Sequence, residues 1–277
     1  MRTELIPLTT DFSDGLWITS IGTIMNIYPD EKLARAFYGG AGLNIGFAGF
    51  LNNNSSYGLG LTYVNGYYDD GNTSFGKFDT SLFAGTLGYR TNTGTDKVWV
   101  EGIATYAQST TEAYDVFDKN SSDIYRAGIK ASVDVATGQN WRITPAVGVD
   151  YTYYNYDKPM IDAGLVQMTI DDTESLNGKA EVEAVYNTKD TTRFGMKLGY
   201  SYEAMGKGIE QEMSLVGEDE IIPFSVKTEG PARHNGHMGL SVNHALSETM
   251  SFAAEYDLRV NDLMTTNNFK LNLKLIY

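Results

Sequence analysis

Apolar and polar residues alternate with a period of two along most of the 277-residue chain. The C-terminal stretch is the clearest case, since Phe269, Leu271 and Leu273 alternate with Lys270 and Asn272. Successive side chains of a strand point to opposite faces, so this spacing predicts strands with one apolar and one polar face. We predict twelve strands, at residues 15–24, 36–48, 56–66, 78–91, 97–108, 122–136, 140–153, 174–187, 191–205, 231–245, 249–261 and 267–277.

The connections between the predicted strands alternate in length. Short turns lie at 49–55, 92–96, 137–139, 188–190 and 246–248, and long polar connections lie at 25–35, 67–77, 109–121, 154–173 and 206–230. The connection at 262–266 is short where a long one is expected. A water-soluble sandwich also alternates apolar and polar residues, but it has no reason for this regularity. We therefore predict an all-β fold, a closed transmembrane antiparallel β-barrel of 12 strands in the bacterial outer membrane, with both termini periplasmic.

The composition is consistent with such a barrel. The chain has no cysteine, 29 glycines and 19 tyrosines. Tyr151, Tyr153, Tyr154 and Tyr156 crowd one strand end, and we interpret them as part of the outer aromatic girdle. No run of about 18 apolar residues is present, so we expect no transmembrane helix. The formal charge of −14 argues against a nucleic-acid partner.

Many charged residues fall on the polar face of the predicted strands. A charge that faced lipid would cost about 2–4 kcal/mol at the bilayer midplane, so we expect these residues to line the lumen of the pore. They are Glu101, Arg126, Lys130, Asp134, Arg142, Asp150, Lys179, Glu181, Glu183, Arg193, Lys197, Glu203, Glu255, Asp257, Arg259, Lys270 and Lys274. Nine are positive and eight are negative, which leaves 12 positive and 27 negative residues for the loops, turns and termini. Two interpretations remain open: a salt-bridge network that stiffens the wall, and a hydrated conduit for a polypeptide or small solute.

Three histidines raise the question of a metal site or a catalytic site. His234 and His237 face opposite sides of a strand because they are three residues apart. His234 and His244 share a face but lie about 33 Å apart. His234 beside the acidic loop 218–220 could imitate a proteolytic pair, but no serine with a plausible base and no convincing carboxylate pair accompany it. We expect no metal, no cofactor, no catalytic residue and no enzymatic activity.

Several segments occur in a family-specific order. GLWITSIG (15–22) precedes YGGAGLNIGF (38–47), YGLGLTYVNG (57–66), LFAGTLGYR (82–90), VWVEGIATYAQ (98–108) and WRITPAVGVDYTYY (141–154), and the chain ends in FKLNLKLIY. Over residues 15–277, this series resembles the β-barrel translocator domain of classical autotransporters, the type V secretion family. The resemblance implies a barrel that anchors and exports a covalently linked N-terminal passenger to the cell surface.

The resemblance also implies partners and a domain division. The terminal strand would carry the signal for the barrel-assembly machinery, at Phe269, Leu271, Leu273, Leu275 and Tyr277. The barrel would be a monomer that contacts outer-membrane lipid and lipopolysaccharide. In the family, a helix before the first strand lies in the pore. Here the passenger is absent, no apolar signal region is present, and residues 1–14 would be the remnant of the linker or helix, although Pro7 disfavours a helix.

One alternative is a stand-alone outer-membrane channel, or a surface adhesion barrel, without a passenger. The upstream coding sequence would distinguish it from a translocator.

Overall fold

Twelve long strands follow the alternation of apolar and polar residues. The structure, a computed structural model, describes residues 14–28, 36–69, 77–94, 97–113, 117–136, 140–156, 166–170, 172–188, 191–205, 210–216, 221–227 and 232–276. The long strands are β1 (Gly15–Ile27), β2 (Ala36–Asn52), β3 (Ser55–Asp69), β4 (Lys77–Asn92), β5 (Val98–Ala113), β6 (Phe117–Val133), β8 (Trp141–Tyr156), β10 (Thr173–Asn187), β11 (Thr192–Glu203), β14 (His234–Ala245), β15 (Met250–Val260) and β16 (Met264–Leu275). Four short strands accompany them: β7 (Val135–Ala136), β9 (Val166–Ile170), β12 (Glu210–Val216) and β13 (Ile221–Lys227). In the described part of the chain, no helix is long and apolar enough to cross a membrane.

The long strands form one sheet that closes on itself. Each pairs antiparallel with the next long strand along the chain, and β1 pairs antiparallel with β16 from Leu16–Leu275 to Ile27–Met264. In lipid an open edge would leave N–H and C=O groups without partners, and closure removes that edge. The predicted closed antiparallel barrel of 12 strands is confirmed.

Gly15 makes a close approach at the seam between the first and last strands. Its φ is +133°, a region that side chains rarely adopt, and a Cβ there would overlap the carbonyl oxygen of Leu275. Glycine is the residue that tolerates both conditions. The start of β1 can therefore lie directly against the end of β16.

Exposure alternates along the strands, and its sense is the reverse of that in a water-soluble protein. On β1, Trp17, Thr19 and Ile21 are buried, whereas Leu16 and Ile18 are about half exposed. Elsewhere, buried side chains include lysine, threonine and asparagine, while the exposed set is rich in leucine, phenylalanine and tyrosine. Such a wall has its polar face turned to the interior and its apolar face turned outward, as lipid requires.

One hairpin is longer than the sequence predicts. β5 extends to Ala113 and β6 begins at Phe117, so the predicted long connection 109–121 is reduced to residues 114–116. A register irregularity between Thr111 and Ala113 accompanies this extension. The segment is polar, which suggested a loop. However, its threonines favour strands, and polar strands are stable where water surrounds them.

The two longest connections also differ from the prediction. The segments 154–173 and 206–230 were predicted as polar loops, but they contain β9, β12 and β13, which form a separate antiparallel sheet in the order β13–β12–β9. The register pairs Met213 of β12 with Met168 of β9 and with Phe224 of β13. Runs of five to seven residues are too short to stand out from their polar surroundings.

Candidate functional site

A row of ion pairs crosses the inner face of the barrel. Arg90 Nε lies 3.4 Å from Glu101 Oε1, and Glu101 Oε2 lies 2.8 Å from Lys130 Nζ. Lys130 Nζ lies 3.7 Å from Glu181 Oε1, whose second oxygen lies 3.5 Å from His237 Nε2. We call these five residues the interior ladder. It connects β4, β5, β6, β10 and β14, and each carboxylate lies between two basic groups.

No side chain of β8 or β11 takes part in the interior ladder, although both strands lie between its members. Each of these two strands has a glycine at that point. Lys130 is paired with Gly148 of β8, across which it reaches Glu181. Glu181 is paired with Gly199 of β11, which in turn is paired with His237. A Cβ at Gly199 would overlap the imidazole of His237. The missing side chains therefore provide the space through which the ion pairs form.

A second group of charges surrounds Asp150. Asp150 Oδ2 lies 3.1 Å from Arg126 Nη2 and also pairs with Lys179 Nζ. Gly128 is paired with Asp150, and a Cβ there would overlap the carboxylate. One carboxylate thus neutralises two cations that extend from strands on either side of β8, again beside a glycine.

A third group lies at the end of β6. Asp134 accepts hydrogen bonds from Trp99 Nε1 at 3.1 Å and from Thr144 Oγ1 at 2.8 Å, and Arg142 Nε lies 4.0 Å from it. The guanidinium of Arg90 lies 4.2 Å from the centroid of the Trp99 ring, within the range of a cation–π contact. Trp99 therefore connects this group to the interior ladder.

Glu203 is a buried carboxylate, 2% exposed, with a fully occupied set of partners. It accepts hydrogen bonds from the Ser175 hydroxyl, from the Leu176 amide at 2.9 Å, from Asn177 Nδ2 at 2.8 Å and from the Met205 amide at 3.2 Å. A buried charge is tolerated only when it is paired or hydrogen-bonded. These bonds fix the end of β11 against β10.

The remaining predicted lumen residues differ in exposure. Lys270 is 7% exposed and Lys274 is 4% exposed, and Lys270 Nζ lies 3.2 Å from the exposed Glu255. Lys197, Asp257 and Arg259 are half-buried and line an interior cavity of about 140 Å³. Glu183 is also half-buried, whereas Arg142 and Arg193 are exposed.

Several inner-face residues were not among those predicted, although the alternation of faces along a strand identifies them. Tyr89 is exposed, so period two places the adjacent Arg90 on the inner face. The same rule applied to the exposed His234 places His237 inside. Neutral residues were omitted altogether, although Trp17 Nε1 donates to Asn44 Oδ1 at 2.6 Å.

Part of the inner face is apolar. Buried side chains of β4, β5, β6 and β8 form one cluster, and β1 and β2 contribute a second. We call them the apolar crescent: Met25, Tyr38, Leu82, Ala84, Ala107, Ile124 and Tyr154. Met25, Tyr38, Leu82 and Tyr154 lie towards the end of the barrel opposite Gly15, whereas Ala84, Ala107 and Ile124 lie near the middle of their strands.

The tyrosines at the end of β8 do not form a single girdle. Tyr154 is buried in the apolar crescent and its ring stacks on that of Tyr156, with centroids 6.4 Å apart. Tyr151 is exposed on the outer face, and Tyr153 donates a hydrogen bond to Asp172 at 2.6 Å. Assigning all four to the outer girdle was wrong for Tyr154 and Tyr156, since neighbouring residues of a strand cannot share a face.

The histidines are dispersed as the strand geometry predicts. His237 faces inward to Glu181, whereas His234 contacts Tyr200 on the outer face and His244 bonds to Thr192. Within the residues that the structure describes, no three histidine, cysteine, aspartate or glutamate side chains are grouped to hold a metal ion.

Known proteins that share this architecture include autotransporter secretion barrels. The family model described as "Autotransporter beta-domain" matches residues 16–257. No curated protein sequence matches the chain. Three solved structures are similar. The translocator domain of the autotransporter NalP from Neisseria meningitidis has a TM-score of 0.69 at 13% identity, with 96% of this chain and 89% of that chain covered. The transport unit of AIDA-I from Escherichia coli has a TM-score of 0.71 at 12% identity, covering 99% and 94%. The beta domain of the Bordetella autotransporter BrkA has a TM-score of 0.66 at 12% identity, covering 95% and 99%.

These identities are low and show a common fold, while the family match extends over most of the chain. The resemblance noted in the sequence and the outer-membrane location are confirmed. A closed wall that is apolar outside and polar inside is the form such a domain takes. The chain belongs to the autotransporter beta-domain family and is an outer-membrane translocator barrel, a transport and secretion domain.

Proposed function

We propose that the inner face of the barrel, including the seventeen charged residues predicted to line the lumen, forms the conduit through which the passenger is exported. The observation that carries this proposal is that the inner face is amphipathic. The interior ladder occupies one part of the wall and the apolar crescent another. A polypeptide presents both kinds of side chain, and such a wall can accommodate both.

Mutual pairing of the interior charges supports weak, non-selective contact with a passing chain. Glu101 and Glu181 each lie between two basic groups, so neither is left as an unpaired charge that would trap the passenger. Transport requires a site that lets its cargo leave again. The stiffened wall and the conduit are therefore two aspects of one arrangement.

Connection lengths support the orientation that we propose, with both termini periplasmic. The turns after β2, β4, β10 and β14 are short and lie at the same end as Gly15 and Leu275. The two longest connections lie at the opposite end. In outer-membrane barrels the short turns are periplasmic. Residues 15–277 would form the barrel and 1–14 a linker, of which 1–13 lie outside the described residues.

The outer surface supports the proposed partners. Phe269, Leu271, Leu273 and Leu275 are all about half exposed, in the alternation proposed as the signal for the assembly machinery, while Tyr277 lies outside the described residues. The apolar outer face would contact outer-membrane lipid and lipopolysaccharide. We propose a monomer that acts in secretion without catalysis of its own and without nucleic acid.

Photocrosslinking tests the conduit at two adjacent positions of β6. A photoreactive residue replaces either the buried Ile124 or the exposed Tyr125, in a barrel carrying a reporter passenger stalled during export. We expect crosslinks to the passenger from position 124 and none from position 125, because the two side chains point to opposite faces.

Equal crosslinking from the two positions, or crosslinking from 125 alone, would contradict the conduit. A passenger that never becomes protease-accessible on intact cells, together with a conducting barrel, would favour the stand-alone channel instead.

A further inference from the structure

The outer face of the barrel carries an aromatic and imidazole cluster at the end opposite Gly15. His234 opens β14 and is paired with Tyr202 of β11, with ring centroids 5.3 Å apart. The Tyr200 hydroxyl bonds to His234 Nδ1, and its ring centroid lies 6.0 Å from the imidazole. This bond engages Nδ1 and leaves Nε2, the other ring nitrogen, for an external partner. Arg233, the preceding residue, lies at a bend before the strand begins, outside its alternation, and is also exposed.

A strip of small residues lies beside these tyrosines. Tyr202 is paired with Gly178 of β10, and Tyr200 is paired with Ala180. A Cβ placed on Gly178 would meet no atom within 4 Å, so the space above it is open. The two aromatic rings therefore border a shallow groove with a floor of small residues, into which an extended hydrocarbon chain would fit.

The charge at this position differs from that of the surrounding rim. Among the described side chains of that end on or beside the outer face, the other charged residues are acidic, for example Asp69, Asp79, Glu112, Asp123, Asp172 and Glu174. Arg233 is the exception. An anionic lipid headgroup would be repelled by most of the rim and attracted to Arg233.

We propose that Arg233, His234, Tyr200 and Tyr202 bind a phosphate group of lipopolysaccharide, one acyl chain of which lies over Gly178 and Ala180. Arginine donates charge-assisted hydrogen bonds to phosphate oxygens, an imidazole N–H can donate another, and tyrosines are favoured at the membrane interface. The proposal rests on the proposed orientation, because that orientation places this end of the barrel in the outer leaflet, where lipopolysaccharide resides.

Direct binding to the purified barrel in a neutral detergent tests the site. The probes are lipid A with its phosphates, dephosphorylated lipid A and phosphatidylglycerol, measured by native mass spectrometry. We expect Arg233→Ala and His234→Ala each to weaken binding of phosphorylated lipid A about tenfold. The matched control is His244→Ala, which removes an exposed histidine from the far end of the same strand and is expected to change binding less than twofold.

Gly178→Leu provides a second variant that retains Arg233 and His234. It fills open space on the outer face, so the barrel is expected to fold while lipid A binding falls. Equal weakening by His244→Ala, or no weakening by His234→Ala and Gly178→Leu, would overturn the site. Equal affinity for phosphatidylglycerol, lost in the same variants, would overturn the assignment to lipopolysaccharide.

The orientation is tested independently. A cysteine at Ser247, in the short turn after β14, should resist a membrane-impermeant reagent on intact cells. Labelling there would overturn the orientation, whereas the detergent measurement reports on the site alone.

Discussion

Glycines of the inner wall act as gaps in rows of charged side chains. Gly128, Gly148 and Gly199 are each paired with a charged or ionisable residue, and at Gly128 and Gly199 a Cβ would overlap that neighbour. Among the described glycines, positive φ is recorded only at Gly15 and Gly94, so backbone freedom does not explain these three. The space left by the missing side chain explains them, because a neighbouring side chain that crosses a glycine can reach the second strand along the sheet.

Substitution at Gly199 tests this explanation. Alanine favours a strand over glycine by about 0.5–1 kcal/mol, but at Gly199 its methyl group would displace His237 from Glu181. We expect Gly199→Ala to lower the free energy of unfolding by about 1 kcal/mol, the value of a hydrogen bond to a charged group less the backbone gain. Urea titration of the barrel in lipid vesicles measures it.

The control for this substitution is Gly102→Ala. A Cβ at Gly102 would meet nothing within 4 Å, so this variant should be unchanged or slightly stabilised. Equal effects of the two substitutions would show that the gap at Gly199 has no role in the ion pair.

Among the strands, β16 combines the barrel seam with the clearest alternation. Leu271 and Leu273 are 53% and 43% exposed, whereas Asn272 donates a hydrogen bond to Thr19 at 2.7 Å across the seam. Spin labels at 271 and 273 should therefore be more accessible to oxygen, which concentrates in lipid, and a label at 272 to a water-soluble nickel complex. The opposite pattern would place the strand one residue out of register and reverse both faces.

The start of β1 is the second point at which the seam can be tested. A Cβ at position 15 would overlap the Leu275 carbonyl oxygen. The substituted residue would also have to adopt a φ of +133°. We expect Gly15→Ala to cost about 1–3 kcal/mol, as strained backbone positions do, and to open the last pairs of the seam. Hydrogen exchange of the Leu16 and Leu275 amides would report this opening.

Gly22 supplies the comparison on the same strand. A Cβ there would lie 3.9 Å from Phe269 Cβ, an ordinary contact. Gly22→Ala should therefore leave exchange at the seam unchanged, and equal exchange in the two variants would contradict a special role for Gly15.

These elements show what the sequence could predict. The twelve strands and their closure follow from alternation and connection length, both of which are local signals. The interior ladder does not follow from them, because Lys130 and Glu181 lie on strands that are not adjacent, and pairing them requires the register and the gap at Gly148. The alternation of faces could have placed Arg90 and His237 inside the barrel. Their partners could not be predicted, because these depend on contacts across the sheet.

In the molecule as a whole, charge is divided between rim and interior. The chain carries 21 basic and 35 acidic residues, yet the charged residues assigned to the lumen are nearly balanced. Arg90 adds one more positive charge to nine positive and eight negative residues, with histidine neutral. The acidity of the chain therefore lies outside the conduit, and the conduit should be nearly neutral with a slight positive excess.

Ion selectivity in planar bilayers shows whether the near-neutral interior or the acidic rim controls the passage of ions. If the interior controls selectivity, reversal potentials in a salt gradient should give an anion-to-cation permeability ratio between about one and two, because mixed charges offer neither ion a uniform ring. Replacing both Lys197 and Arg259, which line the interior cavity, with glutamate should reverse the preference to cations. Replacing the exposed Asp172 and Glu174 with asparagine and glutamine should leave the ratio unchanged, although it alters the net charge of the chain. Strong cation preference in the unmodified barrel, lost in the second double variant, would show that the acidic rim controls ion entry and would contradict a near-neutral conduit.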